Sequence, residues 1–164
     1  DNIIPQVEPA LDKYFKDGYR VLDTEEKLME PIGNTDYNFK GFIDAILQTP
    51  DGKIHLIDWK SCSWGWDARR RADPLVTYQL TFYKIFYAQK HKIDLKMIET
   101  HFALLKRTAK KDNVEIFRVT SAAKKQSNAM ELLNKSLFNI QKKNFVKDKR
   151  SCAKCEFYRT KHCP

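Results

Sequence analysis

The sequence predicts an α/β fold, with a central mixed β-sheet of about five strands and helices on both faces. Two features of the sequence lead to this prediction. Segments whose apolar residues recur at helical spacing alternate along the chain with shorter segments that have the apolar pattern of strands. Gly, Pro, Asn and Asp cluster between these segments, as is typical of turns.

The elements follow one another in a simple order, and several are delimited by a recognisable residue. Pro31 ends the first strand, and Asp73 precedes Pro74 as the N-cap of a long helix. Ser121 is expected to cap the last helix. The predicted elements are a helix over 7–15, a strand over 19–31, a hairpin over 41–61, a helix over 74–90, strands over 97–108 and 114–120, and a helix over 121–142.

Length and charge limit the class of protein. A chain of 164 residues with 30 Lys and Arg against 21 Asp and Glu, a formal charge of +9, is expected to form one domain that binds a polyanion. We expect its core over residues 1–150 and a cysteine-rich tail, part of the same domain, over 151–164. Without a long apolar run or a signal peptide, we expect a soluble, cytoplasmic protein with no membrane partner. Because the chain begins at Asp1 rather than Met, we also expect residues upstream of it.

The hairpin over 41–61 carries the most informative residues. Its turn sequence TPDGK, over 49–53, combines a Pro that presets φ with a Gly that adopts positive φ, which predicts a bulged three-residue loop. Pairing outward from this turn places Asp44 directly opposite Asp58. Because side chains alternate along a strand, Lys60 is expected on the same face as Asp58.

Two carboxylates beside an ammonium suit the metal-assisted hydrolysis of a phosphodiester. Hard oxygen ligands hold Mg²⁺ or Mn²⁺, the metal lowers the pKa of a bound water, and the lysine orients that water or offsets charge on the phosphate. Strict alternation also puts Phe42 and Ile46 on the face of Asp44. Either aspartate taken singly is better explained as a solvated strand residue. The apolar neighbours on both faces favour an interior hairpin, where unpaired carboxylates are disfavoured.

A basic loop follows the hairpin and contains Trp64, Trp66, Arg69, Arg70 and Arg71. Arginine contacts phosphate oxygens bidentately and tryptophan stacks on unpaired bases, so the loop is a candidate for contact with nucleic acid. An equally weighted alternative is a solvated basic loop with one of the two tryptophans packed in the core.

The tail contains a C-x2-C-x7-C array made of Cys152, Cys155 and Cys163, with His162 beside it. Two thiolates separated by two residues can bind one metal ion. The array therefore predicts a metal site. Zinc completed by His162 is one alternative for it, and three reduced cysteines without a ligand are another. His55 and His101 lie on predicted strands and are expected to be structural.

The ordered motifs resemble the PD-(D/E)XK nuclease superfamily, and specifically its RecB-like branch. They are Gly41-x-x-Asp44, then Asp58-x-Lys60, then Gln79-x-x-x-Tyr83 in the helix that follows. That branch includes the nuclease domains of RecB and AddB, CRISPR-associated RecB-like exonucleases and phage exonucleases. The resemblance implies a restriction-endonuclease-like fold for the predicted core.

The resemblance also assigns roles to residues. It implies that Asp44, Asp58 and the main-chain carbonyl of Trp59 hold the metal. It also implies an assisting glutamate on the preceding strand, for which Glu26 is the nearest match and Glu25 and Glu30 are alternatives. It implies that Gln79 and Tyr83 lie beside the catalytic residues, although Tyr83 is also explained as part of an aromatic core stripe on its helix. In related tails the cysteines hold an iron–sulfur cluster with a fourth cysteine upstream of the nuclease motifs; no cysteine precedes Cys62 here.

Together these observations predict a Mg²⁺- or Mn²⁺-dependent deoxyribonuclease of the exonuclease type, active in DNA processing, recombination or repair in a bacterium or a phage-infected cell. DNA is the expected partner, with a helicase or recombination protein as a further one. Two alternatives from other classes are a nucleic-acid-binding module with an inactive nuclease fold and a zinc-stabilised structural domain. The histidine that the RecB-like pattern has upstream of Glu26 is missing here, which leaves activity open, whereas the intact set of Asp44, Asp58 and Lys60 argues against the inactive module.

Overall fold

The computed structural model describes residues 2–145 and 148–163. The chain divides into two compact units, Asp1–Ala129 and Met130–Pro164. The first unit contains the whole sheet and every predicted catalytic residue. The expected boundary between core and tail at residue 150 stays a prediction. None of the helices in the described part of the chain is long and apolar enough to cross a membrane.

The sheet has five strands in the order β1-β2-β3-β4-β5, and the predicted fold class is confirmed. All neighbouring strands are antiparallel except β3 and β4, which are parallel and joined through helices. The elements are α1 (Val7–Tyr14), β1 (Arg20–Pro31), β2 (Asn38–Gln48), β3 (Ile54–Cys62), α2 (Ala68–Ala72), α3 (Pro74–His91), β4 (Ile98–Lys106), β5 (Val114–Val119) and α4 (Ala123–Gln141), with 3₁₀ turns at Ile4–Gln6, Leu95–Met97 and Lys149–Lys154.

Two local features differ from the prediction. The basic loop contains a one-turn helix, α2, because the side chain of Asp67 accepts a hydrogen bond from the Arg70 N–H and caps it. The last helix begins at Ala123 rather than at a Ser121 cap. The Ser121 hydroxyl lies 2.9 Å from that of Thr81 in α3, a buried contact that takes it away from the helix end.

The turn between β2 and β3 has the predicted form. The Thr49 N–H donates to the Lys53 carbonyl at 3.1 Å, and Gly52 has φ +81, which a residue with a side chain rarely adopts. The strand pairing begins with Gln48 opposite Ile54 and has the predicted register. Turn chemistry alone was therefore enough to align the two strands.

Helices α1 and α3 cover different parts of the sheet. Leu11 of α1 and Phe15, directly after the helix, pack in one cluster with Ala45, Leu47 and Ile57. On α3, Phe86 stacks on Phe39 of β2 with ring centroids 4.3 Å apart. Each helix thus packs the apolar residues of one face against its own group of strand residues.

The alternation of side chains along β2 changes phase at Asp44. Phe39 and Gly41 face α3, whereas Ala45 and Leu47, an even number of residues further on, pack against α1. Strict alternation would put all four on one face. The change coincides with a break in the ladder to β1, where Glu25 has φ +56 and has no partner in the register. The expectation that Phe42 shares a face with Ile46 is therefore wrong: Ile46 is fully buried, and Phe42 is 49% exposed.

Candidate active site

The two strands of the hairpin separate at the predicted catalytic residues. Pairing between β2 and β3 ends at Ala45 opposite Ile57. Beyond that point β2 remains paired with β1 as far as Asn38, and β3 remains paired with β4 as far as Cys62. The sheet therefore forks. We call this opening, between β2 residues 38–44 and β3 residues 58–62, the fork.

Asp44 lies where the fork begins. Its Oδ2 accepts a hydrogen bond of 2.7 Å from the main-chain N–H of Trp59. A side chain thus takes the place of the next ladder bond, so Asp44 and Asp58 are not the paired residues that an unbroken ladder would make them. Asp44 is thereby bonded to the residue next to Asp58, and its charge helps to raise the pKa of Asp58.

Asp58 is buried beside Lys60. It is 2% exposed, and its Oδ2 lies 2.7 Å from the Nζ of Lys60, whose side chain is one-third exposed. Burial raises the pKa of Asp58 above its ordinary value, the hydrogen bond and charge of Lys60 oppose this, and Asp44 adds to it. The ion pair is close but poorly aligned, and Oδ2 has no other hydrogen-bond partner among the residues that the structure describes.

Tyr83 and Gln79 of α3 join this group. The Gln79 side-chain amide donates to the Tyr83 hydroxyl at 3.0 Å, so the i, i+4 pair acts on one face of the helix as predicted. Burial raises the pKa of Tyr83, and the charges of Asp58, Lys60 and Asp44 all act on it. Because Tyr83 is 6% exposed, it is part of the core as well as being within reach of the charges of the two carboxylates.

Gly41 permits this arrangement. A Cβ at this position would lie 2.7 Å from Cε1 of Tyr83 and 3.1 Å from Cε1 of Phe39, closer than carbon atoms pack. Its backbone conformation needs no glycine. The requirement comes from the ring of Tyr83, which approaches the β2 backbone where a side chain would stand, and no pattern in the sequence indicated this contact.

The residues present fit a hard divalent cation. Asp44 and Asp58 offer carboxylate oxygens from two strands, and the buried Oδ2 of Asp58 lacks an aligned donor. Lys60 partly neutralises a site whose two negative charges are otherwise unfavourable together. The main-chain carbonyl of Trp59 stays a predicted ligand.

Glu26 is occupied by another interaction. It is 8% exposed and lies 2.7 Å from the Nζ of Lys90 and 2.6 Å from Nε2 of His91, both at the end of α3. No contact among the described residues joins Glu26 to Asp44 or Asp58. Its predicted role as an assisting metal ligand stays a prediction, and its visible role is to bind the end of α3 to β1.

The basic loop combines both of its predicted alternatives. Trp66 is 7% exposed and packs edge-on against Phe102, so its ring is part of the core and is not available to stack on a base. Arg71 is bound by the carboxylate of Glu115, and Arg70 lies over the ring of Trp66. Exposed groups remain at Trp64, at 76%, and at Arg69 and Arg70.

The cysteine tail is not gathered around a common point. Cys152 and Cys155 lie in one tight turn, closed by a 3.1 Å hydrogen bond from the Cys155 N–H to the Cys152 carbonyl, and all cysteine thiols are free. Within residues 2–145 and 148–163, the one group of three or more potential ligands is elsewhere in the fold. In this structure Cys163 and His162 do not complete the predicted cluster or zinc site.

That group is His55, Glu99 and His101, whose ligand atoms lie within 4.8 Å of one another. The two histidines are linked by a 2.9 Å contact between Nδ1 of His55 and Nε2 of His101. Their other ring nitrogens lie 2.9 Å from the Thr49 hydroxyl and 3.1 Å from the Tyr14 hydroxyl. No pattern in the sequence indicates this network beyond two histidines on neighbouring strands.

The charges around this group favour a structural network over a metal site. Glu99 is bound by Lys53 at 2.9 Å and by Arg118 at 3.2 Å, and these cations oppose a second positive charge. Burial lowers the pKa of His55 and lowers that of His101 to about 3. Both rings are therefore neutral at pH 7, and every ring nitrogen has a partner, which agrees with the structural role expected for them.

Comparison with known proteins identifies the family. A model of the PD-(D/E)XK nuclease superfamily matches residues 6–160. The chain belongs to the PD-(D/E)XK nuclease superfamily. This confirms the resemblance at the level of the superfamily, and the RecB-like branch stays a prediction. No curated protein sequence matches the chain significantly.

Solved structures show the same fold. The crystal structure of SSO0001 is 17% identical, with a TM-score of 0.53, over 93% of this nuclease-family chain and 64% of that chain. The structure of a "Putative exonuclease" from Eubacterium rectale is 16% identical, with a TM-score of 0.61, over 96% of this chain and 57% of that chain. The chain thus spans less than two thirds of the length of either protein.

The raised pKa of Asp58 predicts the effect of neutralising it. Because the native state favours the protonated carboxyl, the ionised form costs stability at neutral pH, and this cost disappears as the pH falls through the native pKa. In chelator, Asp58→Asn should raise the melting temperature by about 2–4 °C, the shift expected for about 1 kcal/mol in a chain of this size.

Melting curves with chelator and with Mn²⁺ check this prediction. Added Mn²⁺ should stabilise the parent protein by mass action and have little effect on Asp58→Asn. Asp36→Asn, which removes the same charge from an exposed loop, is the control and should keep the shift caused by Mn²⁺. An unchanged Mn²⁺ shift in Asp58→Asn would contradict a metal site shared by the two aspartates.

The buried histidines predict acid sensitivity. An unfolded histidine titrates near pH 6.5, whereas His101 has a native pKa of about 3, so below about pH 6.5 only the unfolded state takes up this proton. The free energy of unfolding should therefore fall with pH in this window, by up to about 1.4 kcal/mol per unit for this residue.

Urea unfolding at several pH values between about 7 and 4 measures how steeply the free energy of unfolding falls with pH. This range covers most of the window between the unfolded and native pKa values of His101. In His101→Gln, which has no titrating ring, stability should depend less steeply on pH, although its absolute value is lower because Tyr14 and His55 lose partners. With chelator present throughout, so that no metal is bound at the tail, the exposed His162→Gln is the control and should keep the parent slope. Equal slopes for His101→Gln and the parent protein would show that His101 is not buried in its neutral form.

Proposed function

We propose that this chain is the catalytic domain of a Mg²⁺- or Mn²⁺-dependent DNA nuclease of the exonuclease type, which hydrolyses phosphodiesters in DNA processing. The single observation that carries the proposal is the meeting of Asp44, Asp58 and Lys60 at the fork, in a chain of the PD-(D/E)XK nuclease superfamily. The formal charge of +9 supports a polyanionic substrate.

Each residue at the fork has a distinct role in this proposal. Asp44 and Asp58, with the carbonyl of Trp59, hold the divalent cation, which when bound supplies activation of water and neutralisation of phosphate charge. Lys60, on the same face as Asp58, orients the attacking water and interacts with the phosphate. The Trp59 N–H keeps the carboxylate of Asp44 directed at the fork.

The α3 pair orients the catalytic residues. The Tyr83 hydroxyl, held by Gln79, stands close enough to Asp58 and Lys60 for their charges to act on its pKa. This position is the one that the RecB-like branch implies for a Gln-x-x-x-Tyr motif. It supports placing the chain in that branch, with an activity in recombination or repair and a helicase or recombination protein as its partner.

DNA contacts outside the fork are proposed at the basic loop. Trp64, Arg69 and Arg70 have exposed side chains there and can contact a base and phosphate oxygens. Arg71 and Trp66 have a structural role in this loop. Arg71 is paired with Glu115, and its Nε–H donates to the Trp66 carbonyl at 2.9 Å.

The first functional prediction concerns Lys60. Lys60→Ala should lower the rate of DNA cleavage on the order of 10²- to 10³-fold or more, because a charge that acts on the reacting phosphate is lost. DNA binding should change little, since one of 30 basic residues is removed. Gel assays with labelled single- and double-stranded DNA in Mg²⁺, Mn²⁺ or chelator measure cleavage, and fluorescence anisotropy measures binding.

Lys13→Ala removes an equal charge from the exposed surface of α1 and should cleave as the parent does. An exonuclease-like enzyme should also leave covalently closed circular DNA intact. Metal-dependent cleavage by Lys60→Ala at the parent rate would refute the assigned site. A parent protein that binds DNA but never cleaves it would instead support the inactive binding module.

The tail gives a second functional prediction. We propose that Cys152, Cys155 and Cys163 come together only when they bind a metal, as ligands of structural metal sites commonly do. Anaerobically purified protein should then contain either iron with visible absorption, for a cluster, or zinc without colour, with His162 as the fourth ligand. Elemental analysis distinguishes the two.

Cys155→Ser should lose this metal and melt at a lower temperature, whereas Cys62→Ser, outside the array, should retain it. Metal-free, colourless protein with an unchanged melting temperature in Cys155→Ser would support three reduced cysteines without a ligand. That outcome would leave the proposed nuclease site unaffected.

A further inference from the structure

The part of the β1–β2 ribbon that borders the fork has one exposed face, which combines apolar with basic side chains. Lys27 of β1 is opposite Phe42 of β2, and Met29 is opposite Lys40. Phe42 is 49% exposed, Met29 is 48% exposed, and both lysines are exposed. We call these four residues the open face.

The open face exists because the ribbon has two unequal sides. Its other side is covered by α3: Leu28 is fully buried, and Gly41 lies against the ring of Tyr83. The phase change at Asp44 then puts Phe42 on the uncovered side, away from Ile46. A ring that ordinary alternation would have buried is thereby presented at the surface.

The composition of the open face favours nucleic acid over protein. Both of its charged residues are lysines, and the Nζ of Lys40 lies 5.8 Å from the centre of the Phe42 ring, so ring and ammonium form one unit. Lysine is depleted in surfaces that bind proteins, whereas exposed rings between basic residues are typical of surfaces on which unpaired bases stack.

The position of the open face also matters. Phe42 precedes Asp44 by two residues, which along a strand is about 7 Å. A DNA strand with a base stacked on this ring is therefore next to the opening where the carboxylates lie. Base pairs of a duplex expose no flat face to such a ring, so the preference should be for unpaired DNA.

We propose that the open face binds single-stranded DNA, with an unpaired base stacked on Phe42 and the adjacent phosphates bound by Lys40 and Lys27, and that this strand leads into the fork. The inference rests on the proposed nuclease function for its substrate. It adds the substrate class, a single strand or the unpaired end of a duplex.

Binding of a fluorescein-labelled oligothymidylate, measured by anisotropy, tests the proposal. The chain used carries Lys60→Ala so that DNA is not cleaved. In this background, Phe42→Leu keeps an apolar side chain but removes the ring. It should weaken binding to the single strand roughly tenfold and leave duplex binding unchanged. Phe42→Tyr restores a ring and should bind as the parent background does.

Matched variants separate the ring from general effects. Phe138→Leu removes a ring that is 55% exposed on α4 and should not alter binding. Lys40→Ala should weaken binding and lower the salt slope by about one counterion, and more so than Lys124→Ala, which removes an exposed charge from α4. Circular dichroism checks that each variant is folded.

The outcomes distinguish this inference from the proposed function. If Phe42→Leu binds the single strand as tightly as the Lys60→Ala background, or the chain binds only duplex DNA, the open face has another occupant and the inference fails, even if the parent protein cleaves DNA. If binding depends on the Phe42 ring but the parent protein cleaves nothing in Mg²⁺ or Mn²⁺, the inference stands and the nuclease function fails.

Discussion

The hydrogen bond from the Trp59 N–H to the Asp44 carboxylate is the contact on which the arrangement of the site depends. It lies where β2 and β3 stop pairing, and it replaces a main-chain acceptor by a side-chain one. Without it, a partly buried N–H would lack a protein partner at the point where the sheet divides, which costs stability. The same bond directs one carboxylate into the opening and so couples the division of the sheet to the assembly of its acidic residues.

Other features of the core follow from this division. Because β3 continues along β4 while β2 continues along β1, Asp58 and Lys60 extend beyond the hairpin on a strand that is supported from one side only. Helix α3 contributes Tyr83, whose pKa is raised by burial and is also influenced by the charges of Asp58, Lys60 and Asp44. An ionised carboxylate in such a place is held at the expense of stability, as the raised pKa of Asp58 indicates.

Local chemistry made part of this structure predictable. The hairpin register follows from Pro50 and Gly52 in the turn, and the Asp73-Pro74 start of α3 follows from capping, because both depend on residues adjacent in sequence. The separation of β2 from β3 depends instead on competition between strands that are distant in sequence. The pairing of His55 with His101 and the burial of Trp66 likewise arise from tertiary packing, for which a single sequence holds no periodic signal.

Gly41 restricts how this domain could be redesigned. Replacing a strand glycine by alanine or valine is a common route to higher stability, since it removes flexibility from the unfolded chain and adds strand propensity. At this position the added carbon would push α3 away from the sheet, because the ring of Tyr83 already occupies its place. Rigidifying β2 therefore requires a smaller residue at position 83 in the same step. The close approach of α3 to β2 depends on the absence of a Cβ at position 41, and any redesign of the site has to preserve this spacing.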